Sequence, residues 1–273
     1  MTRRVEVVWF ADELCGDVAC SGGKGASLAA MTAAGLPVPP GFVIPSWVLA
    51  GSVEEDALRA HASALDHEAA VALVRAAEPP RQAISEAYAQ LGGEVAVRSS
   101  ACAEDSEAAS YAGQQETYLQ VSGAKDVCAR VVDCWASFFS ERALFYRSKK
   151  GSLEDLRMAV VVQRMVAPRK SGVLLTVDPV QRRRDQMIVE ATFGLGEQVV
   201  SGEVTPDHYV LDRDGGCKRE RLVTDGVLES GELVALAQLG RVLEERFGGP
   251  QDIEWAIADG QIFLLQSRPV TAL

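Results

Sequence analysis

Three polar residues in the segment DIEWAIADGQIFLLQSRP (252–269) have the types and spacing to bind a metal-complexed phosphate. The Asp-Gly pair in its middle lies between two alternating runs, which predicts a β-hairpin. Gln266 and Arg268 alternate onto one strand face, and the turn places Glu254 opposite residues 265–266. The carboxylate and amide oxygens suit magnesium, and the guanidinium suits a phosphate. A solvated strand face and a buried Arg–Glu pair are the alternative interpretations.

Lys24 is a second candidate for phosphate binding. It lies in CSGGKGASLAAM (20–31), among glycines at the head of a helix predicted over 24–34. The segment is not a P-loop, because Gly25 follows the lysine and Val18 occupies the position required for the first glycine. If Lys24 binds a phosphate, a different fold must present it.

Four further segments carry polar residues, each with a structural alternative. Arg98 ends a predicted strand and precedes small hydroxyl residues whose backbone a ligand can approach. Gly113 and Thr117 belong either to a loop that folds over phosphates or to a plain hairpin turn. Gln163 interrupts an apolar strand and needs a partner, either an adenine edge or a neighbouring backbone group. Glu190 ends another apolar strand, where it either forms a salt bridge or binds ribose hydroxyls or the base.

Composition narrows the function class. The formal net charge of −11 argues against a nucleic-acid partner. There is no apolar stretch of membrane-spanning length and no signal peptide. Six cysteines without a C-x-x-C pair indicate reduced thiols in a cytoplasmic protein. The three histidines, His61, His67 and His208, lack the small-residue setting of a phosphate-carrying histidine and are interpreted as structural.

The pattern of elements predicts an α+β fold in which antiparallel strands dominate the second half. Strands are predicted at 158–166, 171–179 and 186–194, followed by a helix at about 230–247 and the C-terminal hairpin. A long amphipathic helix is predicted at about 125–149. This order is not that of a doubly wound parallel sheet.

Taken in order, the motifs resemble those of a known family. They are GGKGASLAAM…GLPVPPGFVI, VAVRSSA…ED…YAGQQETYL, VVVQRMV, SGVLLTVDP, VEATFGLGEQVVSGEVTPD and QDIEWAI…LLQSRPV. The chain is similar to the nucleotide-binding domain of phosphoenolpyruvate synthase, pyruvate phosphate dikinase and rifampin phosphotransferase. The resemblance implies an ATP-grasp fold that holds ATP between an N-terminal lobe (about 1–105) and an ATP-grasp lobe (about 106–273).

The resemblance also implies ATP and Mg²⁺ as cofactors and assigns roles to the candidate residues. The triphosphate would be bound by Lys24, Arg98 and Arg268. The two arginines would also be catalytic through their guanidinium groups. The remaining nucleotide-binding positions are Gly113 and Thr117 in the closing loop, Gln163 at the adenine, and Glu190. The magnesium ligands would be Glu254 and Gln266.

One departure from the family bears on function. Members continue into a swivelling domain with a phosphohistidine and then into a substrate domain, whereas these residues stop at SRPVTAL. We therefore expect a phosphotransferase subunit that uses Mg-ATP to phosphorylate a histidine on a separate partner protein. The alternatives are a kinase that phosphorylates a small metabolite or antibiotic directly, a non-catalytic nucleotide-binding module, and a domain excised from a longer enzyme.

Overall fold

The structure is a computed structural model, and it describes residues 5–102, 116–151, 153, 155–196, 202 and 204–270. The chain divides into two compact units. Unit 1 comprises Met1–Ala33 and Pro40–Met165, and unit 2 comprises Ala34–Pro39 and Val166–Leu273. The boundary lies at residue 165 and not near residue 105 as predicted, because the strand before residue 105 pairs with the strand that ends at Arg164.

Unit 1 contains one sheet, seven α-helices and a short 3-10 helix (Glu13–Gly16) among its described residues. Its strands are β1 (Val8–Trp9), β2 (Gly41–Ile44), β3 (Val95–Ala101), β4 (Thr117–Val121) and β5 (Met158–Arg164). Its helices are α1 (Val18–Ala33), α2 (Trp47–Ser52), α3 (Glu55–Ser63), α4 (His67–Arg75), α5 (Arg81–Leu91), α6 (Ala124–Ser137) and α7 (Glu141–Lys150).

The strands of unit 1 form an antiparallel sheet in the order β1-β2-β5-β3-β4. One face packs its alternate residues, such as Val95, Val97 and Val160, into a core with helical residues that include Trp135. The other face carries α1, since a side chain at Gly25 would meet Val43. The sheet is therefore covered by helices on both faces.

Helix α1 is interrupted at Gly22, where φ is 68°. A Cβ atom there would lie 2.3 Å from the carbonyl oxygen of Ser100 on β3. Glycine is required both by the positive φ and by this close approach. The helical run that contains Lys24 starts directly after this break, at the position where the sequence predicts a helix start.

Unit 2 contains an antiparallel six-stranded sheet in the order β11-β10-β6-β7-β8-β9. The strands are β6 (Lys170–Leu175), β7 (Gln186–Phe193), β8 (Asp207–Asp212), β9 (Cys217–Arg221), β10 (Gln251–Ala258) and β11 (Gln261–Pro269). Its long helix is α8 (Ser230–Phe247), with the bounds predicted from the sequence. Gly240 of α8 packs against Leu174 and Thr176, so this helix covers one face of the sheet.

A buried carboxylate fixes the chain that leads from β9 to α8. Asp207 accepts hydrogen bonds from the backbone N–H groups of Val223, Thr224 and Val227 and from the Thr224 hydroxyl, at 2.7–3.0 Å. Burial alone would raise the pKa of Asp207, but these donors lower it below its usual value. The segment 222–227 is therefore held by an ionised side chain.

The α+β class with largely antiparallel sheets is confirmed. The long helix predicted over 125–149 is two helices, α6 and α7, because Ser140 accepts the N–H of Ala143 and starts a new helix. Within the described part of the chain, every helix is too short or too polar to cross a membrane.

Candidate nucleotide site

Lys24 is held against the end of β3 by long-range contacts within unit 1. Its Nζ donates to the carbonyl oxygen of Ser99 at 3.0 Å. The hydroxyl of Ser100 donates to the carbonyl oxygen of Ser21 at 2.8 Å and accepts the N–H of Gly25 at 3.3 Å. The glycine turn, residues 22–25, is thus joined to the strand that carries Arg98, so the two predicted phosphate-binding segments are neighbours in unit 1.

Arg98 and Gln163 lie on one face of the unit 1 sheet. Arg98 faces Val161 across β5, and Gln163 faces Ala96 across β3, so the two side chains are diagonal neighbours. Arg98 is 8% exposed and Gln163 is 2% exposed. Their strand neighbours Val97 and Val162 point into the helical core, so both polar side chains point to the face that carries α1.

The predicted phosphate loop, which contains Gly113 and Thr117, lies only partly within the described residues. Thr117 begins the edge strand β4, is exposed and lies directly opposite Arg98. Gly113 lies outside the described residues, so its role stays a prediction. Thr117 is nonetheless placed beside one of the predicted phosphate-binding arginines.

In unit 2, the C-terminal hairpin brings its three predicted residues together. The turn has φ values of 50° at Asp259 and 76° at Gly260, and these left-handed values fit the predicted Asp-Gly turn. A register shift after Glu254 places it directly opposite Gln266. Without that bulge, the pairing of residues 258 and 261 would put Glu254 opposite residue 265.

Asp252 is a member of this cluster that the sequence interpretation missed. It lies opposite Arg268, and the two side chains form an ion pair with an N–O distance of 2.7 Å. The arginine side chain is 55% exposed and the aspartate side chain is 19% exposed. The signal was present in DIEW, because a residue two positions before Glu254 shares its strand face.

Glu190 lies on the same face of the unit 2 sheet, further from the hairpin. Val173 is the cross-strand neighbour of both Glu254 and Glu190, which places the backbones of these two residues two strands apart, or about 10 Å. Glu190 also lies 3.5 Å from Nδ1 of His208 on β8. The salt-bridge alternative for Glu190 therefore has a partner, and its nucleotide role stays a prediction.

The hairpin residues fit magnesium that is bound together with a nucleotide. Glu254 and Gln266 offer a carboxylate and an amide oxygen at one register position, with the Asp252 carboxylate one step along the face. In the described ranges no group of three or more His, Cys, Asp or Glu residues could hold a metal ion. Magnesium usually takes only one or two carboxylates and completes its shell with water and phosphate oxygens, so this donor set is sufficient.

The cysteines near the glycine turn are poor nucleophiles. Burial raises the pKa of Cys15 to about 12 and the pKa of Cys20 to about 11. All six cysteines of the chain are outside disulfides. The thiols beside Lys24 therefore stay protonated near neutral pH and act as packing groups.

Comparison with known proteins gives a consistent result. The family model for the pyruvate phosphate dikinase AMP/ATP-binding domain matches residues 18–273. A probable phosphoenolpyruvate synthase of Methanothermobacter thermautotrophicus is 38% identical over 321 positions, which cover 99% of this chain and 47% of that protein. A rifampicin phosphotransferase of Streptomyces sviceus is 40% identical over 94% of this chain and 35% of that protein.

The chain spans less than half the length of these relatives. The first alignment is longer than the 273 residues of the chain, so that relative also has internal residues without a counterpart here. Among solved structures, D-alanyl-alanine synthetase A from Vibrio cholerae has a TM-score of 0.40 at 14% identity over 91% of this chain and 55% of that one, too low to support an argument. The family match and the relatives show that the chain belongs to the pyruvate phosphate dikinase AMP/ATP-binding domain family.

Proposed function

We propose that this chain is an ATP-dependent phosphotransferase subunit that uses Mg-ATP to phosphorylate a histidine on a separate partner protein. The observation that carries the proposal is the hairpin face on which Asp252, Glu254, Gln266 and Arg268 meet in register. A solvated strand face would leave its polar side chains in water, whereas Gln266 is only 9% exposed. Family membership supports adenine nucleotide as the ligand.

Each candidate residue has a role in this proposal. The triphosphate is bound by Lys24, Arg98 and Arg268, with Gly113 and Thr117 in the loop that closes on it. Gln163 contacts the adenine, Glu190 contacts the ribose or the base, and Glu254 and Gln266 hold the magnesium ion. Bound magnesium would neutralise phosphate charge, and the arginines would stabilise charge on the transferred phosphoryl group.

The histidines of the chain support an acceptor on another protein. Nδ1 of His61 lies 3.3 Å from the exposed Asp66 carboxylate, and His67 begins a helix. His208 lies beside Glu190 at 3.5 Å. None follows a glycine- or serine-rich turn of the kind that presents a carrier histidine, so we place the acceptor outside residues 1–273.

Calorimetry with ATP in the presence and absence of magnesium tests the nucleotide site. We expect ATP to bind much more tightly with magnesium, because Glu254 and Gln266 contribute only through the metal. Glu254→Gln should weaken binding at low magnesium and recover part of it at high magnesium. Equal ATP affinity with and without magnesium, or no binding at all, would contradict the site assignment.

Transfer of label from ATP distinguishes the acceptor from a second candidate function. The similarity to a rifampicin phosphotransferase favours direct phosphorylation of a small molecule as that second candidate. With ATP labelled at the β or γ position, the chain alone should acquire no acid-labile label, and a histidine-bearing partner should become labelled. If the chain itself becomes labelled and the label is lost in His208→Ala, the acceptor is His208 and not a histidine on a partner protein. Phosphorylation of a small molecule without a partner, with ADP as product, would favour the direct kinase.

A further inference from the structure

A buried polar chain lies beneath the strand that carries Gln266 and Arg268. Ser267, between them, points to the opposite face, because side chains alternate along a strand. Its hydroxyl donates to Oε1 of Gln251 at 2.9 Å. Ser267 is 4% exposed and Gln251 is 2% exposed, so this hydrogen bond is shielded from water.

The chain of hydrogen bonds continues from Gln251 into the body of unit 2. The N–H of Gln251 donates to Oγ1 of Thr176 at 2.8 Å, and that hydroxyl donates to Oε1 of Glu244 at 2.7 Å. Glu244, on α8, is also ion-paired with Arg213, which donates to the carbonyl oxygen of Thr176 at 2.7 Å. The strand β11 is thereby tied through β10 and the end of β6 to the long helix and to the turn between β8 and β9.

This chain of contacts restricts the rotation of β11. The side-chain nitrogen Nε2 of Gln251 also has partners, since it donates to the carbonyl oxygens of Gly249 and Pro250. A rotated or shifted Ser267 would leave the buried Gln251 oxygen without its hydroxyl donor, and an unsatisfied buried polar group is costly. Fixing the inward side chain of Ser267 fixes the outward directions of its two neighbours.

We propose that Ser267, Gln251, Thr176 and Glu244 are positioning residues that hold Gln266 and Arg268 in the geometry needed for Mg-ATP. The proposal rests on the function proposed above, because it assigns those two residues to magnesium and phosphate. The four residues act from the opposite face of the sheet, through the backbone of β11 and not by contact with the nucleotide. An equal number of buried hydrogen bonds elsewhere in unit 2 would stabilise the fold but would not orient Gln266 and Arg268.

The test compares nucleotide affinities of the full chain and its Ser267→Ala variant by calorimetry. AMP lacks the two phosphates that Arg268 and the magnesium ligands are proposed to bind. We expect Ser267→Ala to weaken Mg-ATP binding about tenfold, the size of one hydrogen bond, and to leave AMP binding unchanged. Ser267→Thr keeps the hydroxyl and should retain most of the Mg-ATP affinity.

Lys170→Met is the matched control. Lys170 begins β6, at the opposite end from Thr176, and forms an ion pair at 2.7 Å with Glu232 at the start of α8. This variant removes a partly buried contact between the same strand and the same helix. It should lower the free energy of unfolding while leaving the ratio of Mg-ATP to AMP affinity at the wild-type value.

Each outcome decides the proposal. Equal weakening of Mg-ATP and AMP binding in Ser267→Ala, or no weakening of either, would overturn the positioning role while leaving the proposed function standing. A wild-type chain that binds no Mg-ATP would overturn both. If Ser267→Ala does not fold, Glu244→Gln replaces it, since it keeps the shape and removes the charge paired with Arg213. Loss confined to Mg-ATP then supports the proposal, and wild-type affinities overturn it.

Discussion

The glycine turn of unit 1 and the C-terminal hairpin of unit 2 present candidate phosphate ligands by different means. In the hairpin, Arg268 and Asp252 are 16 positions apart and are paired by one two-residue turn. In the glycine turn, Lys24 contacts the carbonyl oxygen of Ser99, which is 75 positions away. The hairpin geometry is therefore encoded locally, whereas the geometry around Lys24 depends on the packing of a distant strand.

A substitution at Gly22 should disrupt the long-range contact between the glycine turn and β3 and should have the largest effect on stability. An alanine there would adopt an unfavourable φ of 68° and bring its Cβ to 2.3 Å from backbone and side-chain oxygens of Ser100. We expect the free energy of unfolding to fall by about 3 kcal/mol, from left-handed strain together with overpacking. Chemical denaturation measures this change in the free energy of unfolding.

Gly35→Ala is the matched control for this prediction. Gly35 has nearly the same φ, 69°, but nothing lies within 4 Å of its added Cβ. We expect a loss of only about 1 kcal/mol there, from the backbone strain alone. Equal losses at the two positions would show that the contact between the glycine turn and β3 contributes nothing.

Alanine variants at the two proposed catalytic arginines should differ, one losing activity alone and the other losing both activity and stability. Arg268→Ala should reduce labelling of the proposed histidine-bearing partner by about a hundredfold or more, because a guanidinium proposed to stabilise the transferred group is lost. Its free energy of unfolding should change by only about 0.5 kcal/mol, since the Arg268 side chain is 55% exposed and solvent weakens its ion pair with Asp252. Arg98→Ala should reduce both quantities, because Arg98 is 8% exposed within β3. Labelling near the wild-type level in Arg268→Ala would make that residue a surface group only.

The contrast between the regions also explains how far the sequence predicts the structure. Local signals predict the C-terminal hairpin, α8 and the three strands β5–β7, because turn chemistry and periodicity are properties of short segments. The boundary near residue 105 was misplaced because β3 pairs with β5, and strand pairing at that distance leaves no local signal. The helix break at Ser140 was missed because apolar periodicity continues across it.

Within the candidate site, the same limit applies at a finer scale. Alternation predicts that Gln266 and Arg268 share a face, and the structure agrees. Hairpin counting left the partner of Glu254 open between residues 265 and 266, because a bulge changes the count by one residue. The register of the folded sheet identifies Gln266 as that partner, whereas Asp252 could have been found from alternation, two positions before Glu254.

The smallest predicted effect concerns the turn of the hairpin. Asp259 has a φ of 50°, which asparagine adopts as readily as aspartate and which alanine adopts at a cost. Asp259→Asn should leave the free energy of unfolding unchanged, and Asp259→Ala should lower it by about 1 kcal/mol in chemical denaturation. Neither should change Mg-ATP affinity by more than about twofold, because β10 pairs with β11 from Gln251–Pro269 to Ala258–Gln261, and that long pairing holds the register away from the turn. A tenfold loss of affinity in Asp259→Ala would instead mean that the turn alone sets the positions of Glu254 and Gln266, and that the hairpin depends on its local sequence even after the sheet has formed.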